Sequence, residues 1–389
     1  MYEGNVSGLQ RPTMLDGVRV VDLSDTRGAY AARLLADLGA EVLRVELRPG
    51  LAGTAVQGRS SGRSARWVFN NLSKAIIEGD DSPEDRCELE SVLASADIVV
   101  TDGRPVDLAR RDLEDLTGRY PRLIHLSISP WGLTGPGRNR PASDLSLLAS
   151  GGLLSLAGDP DGPPVRPYAE QSSVAACLHG VVGALIALFA RDASPGDGEG
   201  QVVDVSAQEA VAHSLENAVQ YVDLEDVVRQ RTGSRSSEAG SGLFRCHDGY
   251  VYLVAGLGGL PLAWDGLISW LTEVGATRIA DELKDQRWQD QKWRRTTDSA
   301  DEFRGLFESH ASGQTKAQLC EGGQRHGVSI SPVSTPQDLL GNEQLLARSY
   351  FKQVQVDDEL VTVPGAPYRI EGVEVGPKAP WRERWATKA

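Results

Sequence analysis

This 389-residue chain is short of several things, and each shortage narrows what it can do. It has four cysteines, Cys87, Cys177, Cys246 and Cys320, far apart and without a CxxC pair. That spacing argues against a disulfide framework or a structural zinc site and for a reducing, cytoplasmic setting. The longest apolar stretch, 174–190, is broken by His179 and falls short of the ~20 residues a bilayer span needs, so it reads as a buried helix. The first residues, MYEGNVSGLQRP, lack the apolar centre of a secretion signal. Positive charge is also scarce, with 40 Lys and Arg against 54 Asp and Glu and a net charge of −14. Nucleic-acid and anionic-membrane binders need a basic footprint, so neither partner is expected. Only 7 of the 40 basic residues are Lys. Arg favours forked recognition of phosphate or carboxylate, although a GC-rich genome produces the same bias.

Familiar nucleotide and metal motifs are missing. There is no GxGxxG, P-loop, HExxH or kinase signature, so a nicotinamide, flavin or metal cofactor is not expected. One GxSxG match, Gly58 to Gly62, has polar, Arg-rich flanks where a nucleophile elbow needs a strand and a helix, so it reads as a loop.

What is present alternates. Residues 18–23 (VRVVDL) read as a strand, 31–38 (AARLLADL) have helical periodicity, Gly39 is a natural stop, and 41–46 (EVLRVE) return as a strand. Further strands are predicted at 98–101 and 123–129, with helices over 83–96 and 107–116. Four parallel strands joined by helices make an open α/β sheet with right-handed crossovers, whose ligands sit beyond the strands' carboxyl ends. The loops 24–30, 46–53, 102–105 and 130–141 (PWGLTGPGRNRP) form that edge.

Downstream, the pattern predicts an apolar helix opening near Asp144, a turn at 158–162 and a long helix over 172–191. A short strand at 201–205 and a helix over 206–221 follow. Residues 222–241 are polar without a sustained apolar period, and the linker is assigned to 226–241. Asp248-Gly249 between two apolar runs signals a hairpin, and helices around 264–274, 299–310 and 315–325 complete a small α+β domain over 242–335. A run at 328–333, a helix near 336–348 and a strand-rich tail end the chain. Trp381 and Trp385 read either as an anchor on a partner subunit or as a cover for the large domain's core.

The run LDGVRVVDLSDTRGAYAARLLADLGAEVLRVELRPG (15–50) resembles the opening of the class III CoA-transferase family, which includes formyl-CoA and carnitine CoA-transferases and α-methylacyl-CoA racemase. Agreement continues in order through NLSK (71–74), ADIVV (96–100), PRLI (121–124), WGLTGP (131–136), ASGG (149–152), GEGQVVDVS (198–206) and the segment 327–351. The resemblance implies a mostly parallel Rossmann-like sheet in a large domain built from both chain ends, 1–225 and 336–389. It further implies a small central domain and two subunits threaded as linked rings. The implied substrates are a CoA thioester and a small carboxylic acid. In the family's transferases an Asp carboxylate attacks the thioester to give a mixed anhydride and CoA thiolate; the thiolate returns to form an enzyme thioester, and the acceptor acid then takes over the CoA.

The resemblance fails at that Asp, whose position counts to Ser172 or Ser173, neither of which can form an anhydride. Glu170, just upstream, is the candidate carboxylate. The racemase branch uses a His before an Asp, and here Ser143 stands before Asp144. His125 and His179 read as hydrogen-bonded core histidines. For CoA, Arg48 and Arg110 match family basic residues, and Arg27, Arg104, Arg138 and Arg140 lie in the ligand-side loops. Asp102-Gly103 stands where many members carry Asn and an aromatic residue. Three readings are open: a subunit without its own catalytic Asp, in a homodimer or paired with an Asp-bearing paralogue; a transferase using Glu170; or a protein that binds CoA esters or a partner without chemistry.

Overall fold

The computed structural model describes residues 13–46, 64–79, 82–233, 238–356 and 359–379. Six short apolar runs pair into one parallel sheet: β1 (Arg19–Asp22), β2 (Glu41–Glu46), β3 (Ala75–Glu78), β4 (Ile98–Asp102), β5 (Ile124–Ser129) and β6 (Val202–Ser206). Their order is β3-β2-β1-β4-β5-β6. The winding reverses between β1 and β4, so a ligand crevice opens beyond that pair. Every residue of β4 and β5 is buried, including His125, Ser127 and Ser129 of β5. The expected open α/β sheet is therefore present. The sequence pattern missed β3, a four-residue, mostly half-buried strand at the sheet's edge.

Three predicted helices are each two shorter ones. Residues 107–116 give Pro105–Ala109 and Leu116–Arg119, with Asp112 left-handed between them (φ 56°). Residues 206–221 give Ala207–His213 and Ala218–Glu225, broken at Glu216 (φ 52°). Residues 336–348 give Pro336–Leu340 and Glu343–Ala347. A left-handed residue with a side chain cannot continue an α-helix.

The chain divides into two compact units. One is built from Met1–Leu153, Pro167–Val219 and Glu343–Ala389, the other from Leu154–Arg166 and Gln220–Asn342. In the second unit, β7 (Ser241–Cys246), β8 (Gly249–Val254) and β9 (Ser329–Pro332) form an antiparallel sheet; the predicted hairpin is present, turning at His247-Asp248, one residue ahead of the expected Asp248-Gly249. Its core gathers Trp264, Trp270, Trp288, Phe244, Phe303 and Phe307. Buried Arg294 lies 4.0 Å over the Trp264 ring, and a Cβ at Gly256 would fall 1.7 Å from its guanidinium, so only glycine fits there. In the first unit, the hairpin β10 (Phe351–Val356) and β11 (Glu359–Pro364) packs Val354 and Val363 against Val68 and Leu72. Trp381 and Trp385 lie outside the described residues.

The long helix Gln171–Ala193 is buried along only one side, which corrects the expectation of a buried helix. Ala176, Cys177, Gly180, Ala184 and Ala187 pack into the core shared with β5, while Val174, Leu178, Val182, Ile186 and Phe189 form an exposed stripe. By length and composition alone it passes for a membrane span. His179 is corrected with it: the ring is exposed and meets His213 edge-on, centroids 4.9 Å apart.

His125 is the core histidine expected. It is buried, Nε2 lies 2.8 Å from Thr101 Oγ1, and burial lowers its pKa to about 4. An unfolded His titrates near 6.5, so between those values the unfolded state binds a proton that the folded state refuses. The penalty is absent above pH 6.5 and grows as pH falls to 4, by about 1.4 kcal/mol per unit. Urea midpoints measured from pH 7 to 4.5 are expected to fall less steeply in His125→Gln than in the parent.

Candidate functional site

At the carboxyl end of β1 the chain turns sharply into helix Ala29–Asp37. Asp102, closing β4, accepts the backbone N–H groups of Asp25 (2.7 Å), Arg27 (2.8 Å) and Gly28 (2.9 Å). A Cβ at Gly28 would press to 2.8 Å from Ser24 Cβ. In a dinucleotide fold the amides at this turn greet a pyrophosphate. Here a carboxylate already holds them, which is the structural counterpart of the missing GxGxxG.

Beneath the turn lies a buried charge network. The Asp22 carboxylate accepts from Lys74 Nζ (2.7 Å), Arg44 Nη1 (3.1 Å) and Ser24 Oγ (2.5 Å). Burial works to raise its pKa, but the two cations outweigh that and hold it below the usual range. Lys74 completes its three donations to Ala29 O (2.8 Å) and Asn71 Oδ1 (3.0 Å), and burial lowers it to about 8 against the pull of Asp22. Nearby, the Cys177 thiol donates to Arg27 O, and burial pushes its pKa up to about 12, so no thiolate forms there.

Beyond β1 and β2 a cavity of about 610 Å³ opens, lined by Arg44, Arg86, Arg110, Arg111 and Arg119 around an apolar floor of Leu23, Leu89, Leu93 and Leu113. Five acids, Asp25, Glu46, Glu90, Asp107 and Asp112, share the walls. Arg110 is 72% exposed and only loosely paired with Asp107 (3.6 Å), while exposed Arg111 donates to Leu23 O. Of the described arginines singled out in the sequence, Arg110 alone lines this cavity. Arg104 is forked onto Asp107 and touches Asn139 O, beside exposed Arg138 and Arg140. Arg27 is half-buried in the β1 turn, and Arg48, like the GxSxG match, lies outside the described residues. Arg86, Arg111 and Arg119 were missed, since helix and loop arginines carry no spacing signal until the fold orients them.

A second cluster stands at the start of helix Gln171–Ala193. Ser172 donates its N–H (3.0 Å) and hydroxyl (2.7 Å) to Asp144 Oδ1, and Ser172 and Ser173 are both buried. Ser143, in the racemase His position, caps helix Asp144–Ser150 through Ser146 N. Glu170 makes a two-bonded ion pair with Arg66 of helix Ala65–Asn71, and Asp144 lies within electrostatic reach of that guanidinium. Among the described residues no group of three or more His, Cys, Asp or Glu could hold a metal ion.

An open parallel sheet with an arginine-lined cavity at its winding reversal is a frame for an anionic, nucleotide-like ligand. Residues 15–382 match the profile of CoA-transferase family III. The chain belongs to that family. It is 36% identical over 364 residues to the succinyl-CoA:(R)-benzylsuccinate CoA-transferase subunit BbsE of Thauera aromatica, covering 90% of this chain and 87% of that one. Over 355 residues it is 28% identical to the succinyl-CoA–L-malate CoA-transferase beta subunit of Chloroflexus aurantiacus, covering 88% and 84%. A crystal structure of a CaiB/BaiF family protein from Brucella suis agrees at a TM-score of 0.82 and 25% identity over 94% of each chain. This family III member thus carries the CaiB/BaiF fold.

Removing the anion from the buried network strands Lys74 without its counter-charge. Asp22→Asn is expected to destabilise the β1–β3 region by about 3–5 kcal/mol, read as faster native-state hydrogen exchange of its amides. Exchange unchanged from the parent would refute that role.

Proposed function

We propose that this chain is a subunit of a CoA-transferase that moves CoA from an acyl-CoA of the succinyl-CoA kind to a carboxylic acid, and that it does not itself supply the nucleophilic carboxylate. The observation that carries this reading is the start of helix Gln171–Ala193. Serines occupy the positions counted for the family's Asp; of the neighbouring carboxylates, Glu170 has both oxygens on Arg66, and Asp144 receives both Ser172 bonds through Oδ1. A carboxylate with both oxygens held by one guanidinium, as in Glu170, has its lone pairs engaged and attacks a thioester poorly. The two relatives named above are themselves called subunits, which supports the same reading.

In this proposal the nucleotide end of CoA lies in the arginine-lined cavity, where Arg110 and Arg111 meet its phosphates. Arg48, Arg104, Arg138, Arg140 and Arg27 remain candidates for the rest of the coenzyme. The exposed stripe from Val174 to Phe189 is the surface a second subunit would cover in a homodimer or a heterodimer, the latter bringing an Asp-bearing paralogue. The setting is cytoplasmic. A second reading keeps Glu170 as nucleophile: its side chain makes no capping bond to its own helix, and its pairing with Arg66 would have to open.

Incubating the purified chain with succinyl-CoA, an acceptor acid and hydroxylamine separates these readings. The chain alone is expected to give neither turnover nor a trapped acyl hydroxamate, and turnover is expected on adding an Asp-bearing paralogue. Turnover by the chain alone, lost in Glu170→Gln, would establish the second reading instead. CoA binding with no turnover under either condition would leave a binding protein. Replacing Arg110 and Arg111 together with Gln is expected to weaken CoA binding about tenfold or more by titration calorimetry.

A further inference from the structure

Glu170 occupies the N-cap position of helix Gln171–Ala193 yet makes none of the bonds an N-cap side chain ordinarily accepts. Asp144 takes that duty, receiving both the N–H and the hydroxyl of Ser172. Just before Glu170, Ala169 holds a φ of 63°, a left-handed conformation that a residue with a Cβ adopts only when its surroundings impose it. The turn sends Glu170 onto Arg66, where its two carboxylate oxygens meet the two terminal guanidinium nitrogens. The pair is accessible, with Arg66 47% and Glu170 30% exposed. Exposed ion pairs are weak and exchange readily, and a guanidinium fork accepts any carboxylate of the right reach.

We propose that Arg66 anchors the free carboxylate of a dicarboxylic acid and that Glu170 is its internal stand-in, displaced when the acid arrives. The proposal rests on the reading of the chain as a CoA-transferase subunit. A dicarboxylic acid has one carboxyl group to carry CoA and a second that stays an anion. Arg66 stands within electrostatic reach of Asp144, which in turn bonds Ser172, so the anchor lies beside the segment counted for acyl chemistry. A site filled by its own Glu170 binds an outside acid with an affinity reduced by the fraction of time the fork is closed.

Titration calorimetry on the full chain, with succinate and with butanoate (four carbons but one carboxylate), tests this. Glu170→Gln is expected to bind succinate about tenfold more tightly than the parent, with a clearly smaller gain for butanoate. Arg66→Gln is expected to erase the preference for succinate, and Arg66→Lys, which keeps the charge without the fork, to lose most of it. Glu170→Ala empties the fork by a second route and must behave as Glu170→Gln does, with thermal melts checking that each variant folds. An unchanged succinate affinity in both Glu170 variants, equal tightening for the two acids, or no succinate binding by any of the proteins overturns the proposal. CoA titrated in parallel keeps the two claims apart. Succinate selectivity without CoA binding sinks the transferase reading and leaves the anchor, whereas CoA binding without selectivity does the reverse.

Discussion

Asp22 ends β1 with its carboxylate inside the protein, where an uncompensated charge would be costly. Its partners come from two other places in the chain: Arg44 from β2, and Lys74 from the residue just before β3. The three charges therefore tie β1, β2 and the entry to β3 together beside the crevice. Lys74 also donates to Ala29 O, in the first turn of the following helix, so the same ammonium fixes where that helix begins. A buried ion pair of this kind adds little net stability compared with apolar residues of the same shape, but it tolerates few alternative arrangements. Its contribution here is position, because the cavity wall, the β1 turn and Arg44 itself all refer to it.

Asp102 shapes the neighbouring wall by the opposite means, as an anion that occupies backbone amides. With three N–H groups already satisfied, the β1 turn offers no amide cradle to a phosphate. Anion recognition must then come from side chains, and the arginines of the cavity stand one step further along the edge, against helix Pro83–Ala94 and the segment after β4. The acids mixed among them keep the cavity from being strongly basic when empty, which agrees with a chain whose net charge is −14. Forked arginine contacts can discriminate by geometry where net field cannot.

Most of the sheet was legible because β1, β2, β4 and β5 are short segments rich in Val, Ile and Leu, as strands in a covered sheet are. β3 was not, since an edge strand half in solvent needs no such run. The long helix was legible as a helix but not as a two-sided one. Its exposed stripe is as apolar as its buried side, and composition cannot tell a core from a surface that awaits cover. The candidate site was harder still. Arg66 and Glu170 are 104 positions apart and Asp144 and Ser172 are 28 apart, so no local pattern links them. Arg110 was singled out because it matches a family basic residue, whereas the directions of Arg86 and Arg119 depend on how their helices seat Leu93 and Leu116 in the core.

The two apolar sides of helix Gln171–Ala193 bear on the chemistry at its start. Its inner side is built from small residues, Ala176, Gly180, Ala184 and Ala187, so its backbone comes close to β5: a Cβ at Gly180 would lie 3.2 Å from Leu126. That close seat fixes the height at which the helix begins and hence where Ser172 meets Asp144. Its outer side bears only large residues, from Val174 to Phe189. A surface of that size and spacing pushes toward burial against another chain. A covering subunit would run the length of the helix and reach Val174, one turn from Glu170. The Arg66–Glu170 pair, exposed in the single chain, would then stand at the rim of that contact, where partial desolvation strengthens every charge-assisted bond it makes. A covering subunit would therefore change how tightly the stand-in holds its anchor, so acid selectivity and assembly would be coupled through the same few residues.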